Sequence, residues 1–225
     1  MKALFLLCFP PTVVFSLTVL TDDTIHDAVE DLRINKDDAV AIYGNITKWN
    51  TTQVTNMDTL FYFNTKFNDD ISGWDMSSVI YMNHMFNGAF AFNQYISGWD
   101  VSSVEITITM FKRAYAFNQD ISGWDVSSVR DATAMFYNAF AFNQDLCAWG
   151  SKLQKSNSNF GFMFTLASSC PERSAYTPSL TGTFPGPFCH SCTFFTFADS
   201  NIRQAVEEWI DNPDDALAIY GDIVT

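Results

Sequence analysis

The stretch FNQDISGWDVSSV, residues Phe117 to Val129, occurs four times in near-copy. FNDDISGWDMSSV runs from Phe67 to Val79, FNQYISGWDVSSV from Phe92 to Val104, and the weaker FNQDLCAWGSKL from Phe142 to Leu153. The spacing between copies is constant. Trp49, Trp74, Trp99, Trp124 and Trp149 stand 25 residues apart, as do Phe67, Phe92, Phe117 and Phe142, and Ile46, Ile71, Ile96, Ile121 and Leu146. Several apolar columns holding one register over a hundred residues mark a repeat architecture, in which each unit buries its apolar face only against its neighbours.

Within one unit, Ile71, Trp74, Met76 and Val79 have the spacing of the apolar positions in a leucine-rich repeat, which places a short strand through their middle. Val79, Met82, Met85, Phe86 and Ala89 then follow at intervals of three and four, the signature of one helical face. The expected fold is therefore an α/β solenoid of about five coils, each with a short parallel strand and a short helix. Adjacent coils would lie about 4.8 Å apart, stacking Trp on Trp and Phe on Phe. One segment argues for an alternative, an all-β solenoid. VEITITMFKRAYAF, Val104 to Phe117, carries β-branched residues where a helix is expected.

A solenoid exposes its core at an open end and needs a cap there. Ile25, Ala28, Val29 and Leu32 form one helical stripe behind Asp22, Asp23 and Thr24, and a second short helix is expected over residues 37–43, ending at Gly44. This cap recurs near the C-terminus. Ile202, Ala205, Val206 and Trp209 repeat the first stripe at an offset of 177, and Ala218 to Gly221 repeat Ala41 to Gly44. The expected organisation is a signal peptide at 1–16, an N-terminal cap at 17–45, repeats at 46–170, a Pro/Gly-rich linker at 171–193, and the start of a second cap and solenoid at 194–225. Further solenoid units are expected beyond residue 225.

The signal reading rests on one positive charge before the apolar run of MKALFLLCFPPTVVFSLTVL, which Pro10 and Pro11 break. Removing it takes Cys8 away and leaves Cys147, Cys170, Cys189 and Cys192, an even number suited to disulfides in an oxidising compartment. Cys147 with Cys170 would close one loop, and Cys189 and Cys192 pair with each other or with those two. Sequons at Asn45 and Asn50 agree with a secreted or cell-surface glycoprotein.

A net charge of −13 repels phosphate backbones and anionic membrane surfaces, which argues against both as general partners. Asp75, Asp100 and Asp125 recur at one position, followed by Ser77, Ser102 and Ser127. Stacked carboxylates repel, so they are read as solvated, with a weak calcium-bridged ladder as the alternative; their exposed face makes these six residues the candidate ligand-binding positions. Asn68, Asn93, Asn118 and Asn143 are read as a structural amide ladder. A serine or acid repeated in every coil has no singular chemistry, so no catalytic residue is assigned. CHSC at 189–192 lacks the further ligands that zinc needs, so no metal or cofactor is expected. His26 and His84 stand isolated and receive no role. An ice-binding solenoid would need a threonine ladder, and a polysaccharide-acting enzyme would need acids singled out in a groove. Both are minor alternatives to a non-catalytic binding module.

The recurring Phe-Asn-Gln-Asp, Gly-Trp-Asp-Val and Met-Phe elements, together with MFNGAFAFNQ, resemble the leucine-rich-repeat surface proteins of the BspA type. The closest likeness is to the branch with repeats of about 25 residues known from mycoplasma surface proteins and unicellular algae. That resemblance implies a secreted or surface-displayed solenoid that serves adhesion or recognition of extracellular protein or glycan, and it implies no catalytic residues.

Overall fold

The computed structural model describes residues 19–150, 152 and 159–169. The chain divides into two compact units, Met1–Ser191 and Cys192–Thr225, and all described residues belong to the first. The expected signal peptide, the linker, the second cap, and Cys170, Cys189 and Cys192 lie outside the described residues.

The N-terminal element is a short strand, β1 (Val19–Thr21), followed directly by α1 (Asp22–Ile34). Thr21 caps α1, its backbone N–H donating to Thr24 Oγ1 at 2.9 Å, and Asp22 and Asp23 sit in the first turn where the helix dipole favours them. The buried residues of α1 are Ile25, Ala28, Val29 and Leu32, the stripe visible in the sequence. Asn35 starts α2 (Lys36–Tyr43) by accepting from the N–H groups of Asp37 and Asp38. Gly44 then stops it at φ 76°, a left-handed conformation that costs glycine nothing. Trp49 donates its indole N–H to Gly44 O at 3.1 Å, which ties the helix pair to the first repeat.

Asn50–Gln53 forms β2, which pairs in parallel with β1, Val19 opposite Asn50 and Thr21 opposite Gln53. Later units carry no strand at the corresponding place. The expected strand through Trp74 and Met76 is instead two tight turns, Trp74 N–H to Ile71 O at 3.1 Å and Val79 N–H to Met76 O at 2.9 Å. The recurring acid-x-serine sequence closes these turns, Asp70 and Asp75 each accepting the N–H two residues on, from Ser72 at 2.9 Å and Ser77 at 3.0 Å. Asn50 makes the same bond within β2, which differs in having β1 as a pairing partner.

Parallel pairing between repeats falls elsewhere, as single bridges from Asn56 to Tyr81, Ile106, Asp131 and Asn159 in succession. Each bridge opens the segment where helices were expected, and among the described residues that segment is not helical. It is a ribbon of overlapping turns. In the second repeat Met82, His84, Phe86 and Gly88 donate their N–H groups forward to Ile106, Ile108, Met110 and Lys112, while Met85, Asn87 and Ala89 donate back to the residue three before. The same alternation recurs in the neighbouring repeats, so every junction carries four forward bonds of 2.8–3.0 Å. An α-helix would satisfy its amides internally; here alternate ones hold the next repeat.

The ribbon has a four-residue period and turns residues i, i+3, i+4 and i+7 inward, as a helix would over this length. Met82, Met85, Phe86 and Ala89 are all buried. At each period one outward residue takes a left-handed φ: Thr59 and Phe63, His84 and Gly88, Thr109 and Arg113, Ala134 and Asn138, Phe162 and Leu166. The segment of β-branched residues, Ile106 to Thr109, follows the same ribbon as its neighbours and is not extended.

Inside, the aromatic columns stack. Phe61, Phe86, Phe111, Phe136 and Phe164 follow one another at centroid distances of 5.3–5.6 Å. A second column, Phe67, Phe92, Phe117 and Phe142, lies 3.8–4.0 Å from the first within each repeat. Trp74, Trp99, Trp124 and Trp149 each donate the indole N–H to the carbonyl 28 residues earlier, from Ile46 to Ile121, at 2.9–3.2 Å. The periodic tryptophan thus fills the core and satisfies its one polar atom in the same act.

Candidate functional site

The expected ligand-binding positions form a regular, exposed column. Asp75, Asp100 and Asp125 are exposed, and each Oδ1 accepts the backbone N–H of Ser77, Ser102 or Ser127 at 3.0–3.1 Å. The Ser77 and Ser102 hydroxyls add bonds of 2.6 Å. These bonds hold the three carboxyls below the usual carboxylate range, against a small opposing effect between Asp75 and Asp100. Asp70 and Asp120 are lowered in the same way by Ser72 and Ser122. The acid–serine pairs therefore form the turns of each repeat, and the carboxylates they present are already hydrogen-bonded.

Both sequon asparagines stand in these acidic columns. Asn45 occupies the column of Asp70 and accepts from Thr47 N–H at 3.0 Å; Asn50 occupies that of Asp75 and accepts from Thr52 N–H at 3.1 Å. Asn45 is exposed and Asn50 half-buried. Cys147 is disulfide-bonded.

The asparagine ladder is a backbone device. Asn93, Asn118 and Asn143 each donate the N–H to Oδ1 of the asparagine 25 residues earlier at 2.8–2.9 Å, and Gln94, Gln119 and Gln144 reach back to the same residues' carbonyls. Phe-Asn-Gln is thus one stacked aromatic followed by two inter-repeat amide contacts.

A different surface lies along the outward side of the ribbon. One column reads Thr59, His84, Thr109, Ala134; the next Tyr62, Asn87, Lys112, Tyr137; the third Phe63, Gly88, Arg113, Asn138. The aromatic inward columns repeat, although the buried column Met57, Met82, Thr107, Ala132 does not, and these outward columns change at every step. Tyr62 is 52% and Phe63 45% exposed. Phe63 lies over Gly88, where a Cβ would come within 3.0 Å of its ring. His84 Nδ1 and Thr109 Oγ1 share a hydrogen bond, and Asn87 Nδ2 donates to Thr109 at 3.4 Å. Lys112 Nζ sits 5.0 Å from the Tyr137 ring centroid. Sequence reasoning missed this group because its residues are not repeated; the signal was there in the unequal residues at fixed offsets of 25.

Among the described residues no group of three His, Cys, Asp or Glu is placed to hold a metal ion, and no helix is long and apolar enough to cross a membrane. Comparison with curated proteins gives no match. Comparison with solved structures also gives none. A family model does match, twice and in overlapping register, over residues 30–149 and 74–172, as a repeated sequence would. With well over half its length covered, the chain belongs to the family described as Mycoplasma protein of unknown function, DUF285.

Proposed function

We propose that the chain is a secreted or cell-surface binding module, a leucine-rich-repeat-like solenoid of the BspA type that recognises extracellular protein or glycan without catalysis. The repeat family supports the coarse part of this reading. The observation that carries the rest is the outward side of the ribbon. Nine of its left-handed positions hold a residue other than glycine, including the exposed, β-branched Thr59; Thr109 is also left-handed but is buried against His84. Each such residue costs roughly 1–2 kcal/mol over a right-handed conformation. Glycine would remove that cost, so keeping different side chains there favours a role in contact rather than in stability. The scaffold repeats and the displayed side chains vary, as suits a recognition surface.

The exposed Asp75, Asp100 and Asp125 column supports a second reading, in which the ligand meets the acidic rim. One experiment separates them. Full-length protein is screened against panels of matrix proteins and glycans, and the ligand found is titrated against Tyr62→Ala with Tyr137→Ala, and against Asp75, Asp100 and Asp125→Ala. Loss of affinity in the tyrosine variant alone supports the ribbon, and loss in the aspartate variant alone supports the rim. Release of cleaved glycan that disappears with a single acidic substitution would make the protein an enzyme and refute the proposal.

A further inference from the structure

The chain carries 25 acidic and 12 basic residues, so its few cations are expected to find carboxylates. Three of the eight described Lys and Arg residues do: Arg33 pairs with Glu30, Lys36 with Asp69, and Arg130 with Glu105, whereas Lys48, Lys66, Lys112, Arg113 and Lys152 form no ion pair among the described residues. Of those five, Lys112 and Arg113 stand side by side on the ribbon. Among the described residues neither has a carboxylate partner within ion-pair distance, although Arg113 is exposed and Lys112 reaches only the Tyr137 ring. The forward bonds from Gly88 N–H to Lys112 O and from Arg113 N–H to Tyr137 O place both cations between the second and fourth repeats, beside the column of His84 and Thr109. Within the three outward columns of these repeats there is no Asp or Glu; the nearest acids of α1, Asp27 and Glu30, line a pocket with Thr59 and Tyr62 at the first-repeat end of the face, away from Lys112 and Arg113 in the third repeat.

We propose that this face, with Tyr62, Phe63, His84, Lys112, Arg113 and Tyr137, binds an anionic polysaccharide, carboxylated or sulfated; the inference rests on the ribbon being the recognition surface. Three features select that ligand class. The ribbon's amides are consumed within and between repeats, so a peptide finds no row of main-chain donors along the face to pair with. The exposed Tyr62 and Phe63 rings, near the half-buried His84 imidazole that the buried Thr109 holds in place, match sugar rings, which present both C–H faces and hydroxyls. The guanidinium of Arg113 offers a planar fork suited to a carboxylate or sulfate. Duplex nucleic acid packs its charges far more densely and meets the whole protein's −13. A polysaccharide with about one charge per sugar interacts chiefly within a Debye length, about 10 Å, of the cationic patch.

The test is affinity electrophoresis of the full chain at low salt, about 0.05 M, through gels holding polygalacturonate, chondroitin sulfate, neutral dextran or poly-glutamate. Expected is retardation by one or both anionic glycans and none by dextran. Raising the salt should weaken it, and Lys112→Gln with Arg113→Gln should lower the affinity at least about tenfold with an unchanged melting temperature. Asp75, Asp100 and Asp125→Ala should leave it intact. Retardation by polygalacturonate alone or chondroitin sulfate alone identifies the anionic group. The proposal is overturned if neither glycan retards the protein, if the double variant is retarded equally, or if poly-glutamate binds as tightly. Should a panel ligand depend on Tyr62 and Tyr137 but not on Lys112 and Arg113, the ribbon reading stands and this inference falls.

Discussion

At the scale of single residues, two ribbon positions report opposite sides of one backbone constraint. Ala134 has φ 53° and bears a Cβ that a left-handed residue accommodates poorly; Gly88 has φ 77° and none. Ala134→Gly is expected to stabilise the protein by roughly 0.5–1 kcal/mol, the steric relief exceeding the entropy glycine adds to the unfolded chain. Gly88→Ala is expected to destabilise by about 1–2 kcal/mol, because it adds left-handed strain and drives a methyl into the Phe63 ring 3.0 Å away. Chemical-denaturation midpoints of the two variants check both signs. If Ala134→Gly destabilises instead, the left-handed assignment at that column is wrong.

At the scale of elements, the acid–serine turns predict the response to acid. Their carboxyls, with that of Asp22, have folded values below the ordinary one. Asp22 is lowered although burial opposes it, because Thr55 Oγ1 and the N–H groups of Thr55 and Asn56 all donate to it. A depressed acid contributes stability that is present above its unfolded value and is lost as pH falls through its folded value. The melting temperature should therefore be insensitive to these groups at neutral pH and fall in the acid range below the ordinary carboxylate value. The first repeat suggests the control, since Asn45 and Asn50 make the same turns without titrating. Replacing Asp75, Asp100 and Asp125 by Asn should keep the fold and flatten the acid limb of the melting-temperature profile; an unchanged slope would mean that the acid sensitivity resides elsewhere.

For the whole described unit, stability is a sum over junctions between neighbouring repeats. Phe111 sits mid-column, fully buried, with Phe86 at 5.5 Å, Phe136 at 5.6 Å and Phe117 at 4.0 Å. Phe111→Ala removes a ring shared by two junctions and is expected to cost about 3–5 kcal/mol, measured by chemical denaturation. A cost under about 1 kcal/mol would show that the column does not hold the repeats together. The open start of this stack is closed by the cap, where the Asp22 carboxylate supplies the acceptors that the first repeat's Thr55 and Asn56 amides need.

The period of 25, the residues that face inward, the helix stripe at Ile25 to Leu32 and the asparagine ladder were all legible in the sequence. Each follows from spacing and residue type alone: apolar columns in fixed register must coincide, and a repeated amide must meet its copy. The conformation of the second half of each repeat was not legible. Met82, Met85, Phe86 and Ala89 satisfy a helix of 3.6 residues per turn and a ribbon of four equally well over so short a span. What separates them is where the amides go, and that depends on carbonyls 24 residues away, such as Ile106 for Met82. The outward face was hidden for the related reason that repetition draws attention to what is shared, whereas Lys112, Arg113 and His84 occur once in their columns. Sequence determined which residues recur and therefore which lie inside; only the tertiary structure, through hydrogen bonds between repeats, decided the backbone that carries them and brought the unrepeated side chains onto one face.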